Sequence, residues 1–143
     1  MARVKLDLPD TLPFTTEIVV RITDINYGGH VGNDAILAII HEARIRFLQQ
    51  YGFSEADIDG VGLIMTDSVI VYKSEGFYGD IISVEAGVKD ITRSGCDFLF
   101  KLSNKENGNE IARAKTGIVF FDYHERKVKT TPPRFREAFS VHE

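Results

Sequence analysis

What the 143-residue chain lacks narrows it first. It has a single cysteine, Cys96, so no intramolecular disulfide and no cysteine-built metal site can form. Cys96 lies in the run Cys96-Asp97-Phe98-Leu99-Phe100 with no histidine beside it, which reads as an inert small core residue rather than a nucleophile. The histidines His30, His41, His124 and His142 are scattered without His-Glu-x-x-His spacing, so no metal is expected. No Walker loop or dinucleotide fingerprint occurs, and no cofactor is expected either. No apolar stretch approaches the roughly 18 residues of a membrane span, and Met1-Ala2-Arg3-Val4-Lys5 leads into no signal-peptide core. The expectation is a cytoplasmic protein with no membrane partner. With a net charge of -4 and no face-sized basic cluster, nucleic acid is not an expected partner. The late basic residues Arg126, Lys127, Lys129, Arg134 and Arg136 are interrupted by acids and prolines.

What remains is an ordinary globular composition, 43% hydrophobic and 27% charged, of a length suited to one domain over residues 1–143. No repeat, low-complexity segment or linker divides it. Pro9 and Pro13 punctuate a short leading segment, and Glu17-Ile18-Val19-Val20-Arg21-Ile22-Thr23 reads as a strand. A glycine-rich loop follows, Asp24-Ile25-Asn26-Tyr27-Gly28-Gly29-His30-Val31-Gly32. Asn33 or Asp34 would cap a helix running to about Tyr51, with Gly52 as its stop.

Ile36, Ile40, Ala43 and Phe47 recur at helical spacing, and Leu37, Ile39, Ile45 and Leu48 spread the apolar cover around the rest. Such a helix is expected to be enclosed. Four strands follow: Leu63 to Tyr72, Ile81 to Ile91, one marked by Phe98, Phe100 and Leu102, and Ile111 to Tyr123 beyond an Asn107-Gly108 hairpin turn. Pro132-Pro133 opens a short terminal helix. Strand, long buried helix, then antiparallel strands define an α+β fold in which a sheet wraps one helix.

The loop is the first place to look for chemistry. Gly28, Gly29 and Gly32 permit sharp turns and close approach to a ligand. The loop delivers the chain into a helix N-terminus, whose first amides are unpaired and partially positive. The backbone N–H groups of Gly32, Asn33 and Asp34 are therefore candidates for binding substrate at a developing oxyanion. His41 shares a helical stripe with Asp34 and Ala38. Structural pairing of His41 and Glu42 with Arg44, Arg46 or a neighbouring strand competes with any binding role. Asp67 interrupts Leu63-Ile64-Met65-Thr66-Asp67-Ser68-Val69-Ile70-Val71, and a carboxylate in a central strand must be paired. If that strand crosses the helix, Asp67 would orient water or a histidine.

Arg21-x-x-Asp24-x-Asn26-x-x-Gly29-His30-Val31-Gly32-Asn33, followed by His41-Glu42-Ala43-Arg44, resembles the hotdog thioesterases of the 4-hydroxybenzoyl-CoA thioesterase superfamily. Those proteins show an Asp, a G/Q-H-V-N-N motif and a helix ending in E-E-A-R or similar. The resemblance runs from about Glu17 onward, through Tyr72, the Gly79-Asp80 turn, Gly108 and Ile118-Val119-Phe120-Phe121. It implies a hotdog fold, one long central helix wrapped by a curled antiparallel sheet of about five strands. It further implies hydrolysis of acyl-CoA or acyl-carrier-protein thioesters, in a homodimer or homotetramer whose sheets pair edge to edge.

The position of the family's catalytic Asp falls on Asn26, which cannot act as a carboxylate. His30 matches the histidine that serves catalysis in the plant acyl-carrier-protein thioesterases. Gly32 replaces the first Asn of the motif, Asn33 keeps the second, and Gly28 stands where the plant enzymes have their catalytic Asn. The expected catalytic set is His30 as general base, with His41 as the second choice, aided by Asn26 and by Asp24 or Asp67. Asp24 either replaces the missing carboxylate or accepts loop N–H bonds. Two other readings stay open: an acyl-thioester hydratase or dehydratase, for which His30 with Glu42 is a poor match in spacing, and a non-catalytic acyl-thioester binder.

Overall fold

The computed structural model describes residues 3–140; His142 lies outside them. Strand β1 (Phe14–Val19) is followed by a 3-10 turn at Ile22–Asp24, then helix α1 (Asn33–Gln50). Four strands come next: β2 (Gly62–Tyr72), β3 (Ile81–Lys89), β4 (Gly95–Asn104) and β5 (Glu110–Asp122). A two-residue β6 (Lys127–Val128) and helix α2 (Pro133–Phe139) follow. The strands form one antiparallel sheet in the order β1-β3-β4-β5-β2, with β6 added against the end of β5. Six strands thus stand where about five were expected, the sixth being only the return of the chain after β5.

The alternation of strand residues sets the two faces of the sheet. Cys96, Phe98, Phe100 and Leu102 of β4, with Ala112, Ala114, Ile118 and Phe120 of β5, are buried in the core with α1. Phe47 of α1 stacks on Phe14 at 5.0 Å and meets Phe98 and Phe139 edge-on. Helix α2 closes one end of the core, since Phe135 and Phe139 are fully buried and each adds roughly 1.5–3 kcal/mol of hydrophobic stabilisation.

The opposite face of the sheet is crossed by residues 3–13. A Cβ on Gly87 would lie 2.9 Å from Leu12, so glycine is what lets this segment lie flat. Arg113, gripped by two 2.7 Å bonds to Glu110, donates to the Leu6 carbonyl at 2.8 Å.

Three expectations change. The first strand ends at Val19 instead of running to Thr23, because the Asp24 carboxylate accepts the Arg21 N–H at 2.8 Å and winds the chain into a turn. Helix α1 begins one residue early, with Gly32 as its N-cap and no side-chain cap from Asn33 or Asp34. It is also not fully enclosed. Leu37, Ala38, His41 and Glu42 form an exposed stripe, because the sheet is open at its β1 and β2 edges and curls only part of the way round.

Candidate active site

The loop between β1 and α1 is built by its own backbone. Gly32 N–H donates to the Asp24 carbonyl at 3.0 Å, Asn26 N–H to the His30 carbonyl at 2.9 Å, and Gly29 N–H to the Asn26 carbonyl. Gly29 adopts φ 82°, a conformation that costs other residues about 1–2 kcal/mol. The Asn26 side-chain oxygen accepts the Gly28 N–H at 2.9 Å. Asp24 is buried, and its carboxylate is committed to Arg21. Both side chains therefore shape the loop.

At the end of this loop the helix amides are open. Ile36 N–H makes the first helical bond, to Gly32, and among the described residues no side chain caps the terminus. The Gly32 amide is spent on Asp24, so it is not the free donor expected from the sequence. Among the described residues, the N–H groups of Asn33, Asp34 and Ala35 have no acceptor. They are the donors left for an anion.

His30 sits beside them. Its Nδ1 lies 3.1 Å from the Val31 carbonyl. A carbonyl only accepts, so the proton of the neutral ring resides on Nδ1 and Nε2 is the basic nitrogen. Nε2 lies 4.0 Å from Glu75 Oε1, the span of an indirect polar contact. The ring packs over Gly28, where a Cβ would come within 3.2 Å of Nε2. His30, Asn33, Tyr72 and Glu75 border one cavity of about 230 Å³. Glu75 is delivered by the segment between β2 and β3, docked through the 2.8 Å bond from Val31 N–H to the Gly76 carbonyl.

His41 belongs to a different place. It lines a larger groove, about 600 Å³, between α1 and β2. Its Nε2 lies 2.6 Å from Glu55 Oε1, while Arg44 Nε donates to the other Glu55 oxygen at 2.5 Å. Arg44 is buried. Glu42 is held by Arg46 at 2.8 Å, so within this chain it makes no pair with His30.

Asp67 is not the buried carboxylate its strand suggested. It follows a bulge in β2 between Met65 and Asp67 and faces away from α1, with its side chain 59% exposed. Lys115 donates to it at 2.9 Å and Gly117 N–H at 3.1 Å. The hydrogen bond from Lys115 holds the Asp67 carboxyl below its ordinary pKa, and the same bond raises that of Lys115. Nearby, burial pushes Asp97 upward. This cluster is on the face of the sheet opposite the helix and does not join the loop.

The residues assembled at the loop are thus His30, Asn26, Asp24, Asn33 and Asp34, with Glu75 added. Glu75 and Glu55 were missed from the sequence because both arrive on connecting segments distant from the motif. The only sequence trace of Glu75's position is Gly76 beside it, whose lack of a Cβ lets Val31 approach, a Cβ there falling 3.1 Å from Val31.

A single long helix held in a curled antiparallel sheet, with a glycine loop presenting free amides at the helix N-terminus, defines the hotdog class of protein. The chain belongs to the thioesterase-like superfamily, whose family model matches residues 20–139. That membership places it by class with the thioesterases. The 1,4-dihydroxy-2-naphthoyl-CoA thioesterase from Synechocystis shares the fold with a TM-score of 0.81 and 24% identity, over 89% of this chain and 95% of that one. The DHNA-CoA thioesterase from Staphylococcus aureus gives a TM-score of 0.77 at 24% identity, over 89% and 88% of the two chains. A protein from Pseudomonas aeruginosa gives 0.84 at 18% identity, over 94% of each. No curated protein sequence matches the chain. Among the described residues, no helix is long and apolar enough to cross a membrane and no group of side chains is arranged to hold a metal ion.

Proposed function

We propose that the chain hydrolyses acyl-CoA or acyl-carrier-protein thioesters at the His30 cavity. The observation that carries this reading is the coincidence of an uncapped helix N-terminus with a histidine whose tautomer is fixed, both bordering one cavity. The thioester carbonyl lies against the amides of Asn33, Asp34 and Ala35, which stabilise the oxyanion as it forms. Nε2 of His30 removes a proton from water as the water oxygen bonds to the carbonyl carbon. The C–S bond then breaks, and the proton passes from Nε2 to the leaving thiolate, giving free acid and thiol. Glu75 faces the nitrogen that carries the positive charge during this cycle, while Asp24 and Asn26 hold the loop that aims it.

The β2 edge, with Ile64, Met65 and Tyr72 exposed along it, supports pairing with a second copy into a homodimer. Asn26 favours one rival, a binder that holds acyl thioesters without turnover, because it puts a carboxamide where a carboxylate would act. One assay separates the two. Release of free thiol from a panel of acyl-CoAs, abolished in His30→Ala, supports hydrolysis; tight binding of the same esters without thiol release supports the binder.

A further inference from the structure

The groove between α1 and β2 contains a polar group with nothing to bond. Thr116 is fully buried on the inner face of β5, lines the groove, and its hydroxyl has no hydrogen-bond partner among the described residues. An unmade bond at a buried hydroxyl costs about 1–3 kcal/mol, so a Thr held there is unusual unless something visits it. Val would fill the same space without the cost.

The rest of the groove agrees. Its walls include Leu37, Ile40, Leu63 and Ile64, an apolar lining suited to a hydrocarbon body. Within them stands the buried guanidinium of Arg44. Glu55 takes its Nε–H and Met65 sulfur lies 3.7 Å from Nη1. Those two contacts engage two of the five guanidinium N–H donors. An apolar trough with a few convergent polar groups is the usual form of a small-molecule site, and about 600 Å³ is of ordinary size for one.

The groove is also in line with the His30 cavity. Asn33 and Ile36 border that cavity, and Ile40, His41 and Arg44 border the groove, so the same helix serves both. From Asn33 to His41 the helix rises roughly 12 Å. An extended chain spans this in about ten bonds, taking ~1.2 Å per bond from backbone dimensions.

We infer that the groove receives the far end of the acyl group, and that this end carries an oxygen function which Thr116 and Arg44 hold. The substrate class is a medium-length acyl thioester oxygenated at its distal end. The inference rests on thioester hydrolysis at the His30 cavity, and the experiment separates the two.

Rates of thiol release are compared for decanoyl-CoA and 10-hydroxydecanoyl-CoA, which differ by one oxygen. The expected result is a kcat/KM at least about tenfold higher for the hydroxylated ester, since a site built to hydrogen-bond a hydroxyl rejects the analogue lacking it. Thr116→Val should bring the ratio close to one, while Thr116→Ser, which keeps the hydroxyl, should keep the preference. A ratio near one in the wild type, or a ratio untouched by Thr116→Val, overturns the inference. So does a Thr116→Val variant that keeps the ratio but sediments as a smaller species, since a second copy of the chain would then be what fills the groove. If neither ester releases thiol, calorimetry with free decanoic and 10-hydroxydecanoic acids decides. Binding of the hydroxy acid that is lost in Thr116→Val keeps the groove and removes the hydrolase reading. Equal binding of both acids, or of neither, removes the groove.

Discussion

His30 precedes helix α1 and His41 stands on it, and the two are held in opposite ways. His30 gives its Nδ1 proton to a backbone carbonyl, an acceptor that does not change charge and exposes Nε2. His41 turns Nε2 to the carboxylate of Glu55, whose charge is already balanced by the buried Arg44. The first arrangement leaves a basic nitrogen beside free helix amides. The second ties a histidine into an ion-pair network that fastens α1 to the segment following it. Side-chain identity alone does not separate these roles; the hydrogen-bond acceptor on the ring does.

The comparison breaks if the wrong histidine matters. Replacing His30 with Ala should lower kcat/KM for thiol release by about 10²- to 10⁴-fold, the usual worth of a general base, with the thermal midpoint little altered. His41→Ala should stay within a few-fold of wild type. A reversal of these two results would move the chemistry into the groove.

A subtler substitution addresses the amides. Asn33 is the first residue of α1 and Gly32 before it is extended, at φ -77° and ψ 160°, so proline is sterically acceptable at position 33. Asn33→Pro removes a single N–H and should cost about 10²-fold in kcat, with circular dichroism unchanged. Full activity in this variant would show that the helix terminus plays no part in stabilising the oxyanion.

On the His41 side the expected effect is on stability. Glu55→Leu leaves Arg44 charged and buried without its partner and should destabilise the fold by about 3 kcal/mol in chemical denaturation. The smallest effect belongs to the opposite face of the sheet. The Arg113 hydrogen bond lowers the Glu110 pKa below its ordinary 4.5. The stability it contributes is present above that value and is lost as pH falls through the lowered one. Glu110→Gln should therefore be less stable than wild type by at most about 1 kcal/mol near neutrality, with the gap closing in acid.

The sequence made α1 legible because its apolar spacing survives any context, and made the β4–β5 hairpin legible through Asn107-Gly108. Residue periodicity could not show that β2, the next strand in sequence after the helix, lies at the sheet edge. Asp67 was misread for that reason: its apolar neighbours suggested a central strand, while an edge and a bulge turn it outward. The 3-10 turn was hidden because Val20, Ile22 and Thr23 have good strand propensity and only the Asp24 carboxylate diverts the chain. At the site, the loop glycines and His30 were readable as a motif. Glu75, Glu55 and Thr116 were not, since each reaches its cavity from a segment distant in sequence from that motif.

The segment of residues 3–13 has a consequence for how the chain is made. Its anchor is Arg113, 107 residues from the Leu6 carbonyl that it binds. During synthesis this segment leaves the ribosome well before β3 and β5, yet its docking site forms only once both have joined the sheet on either side of β4. It must stay unattached until those strands arrive, so a segment made before them settles after them.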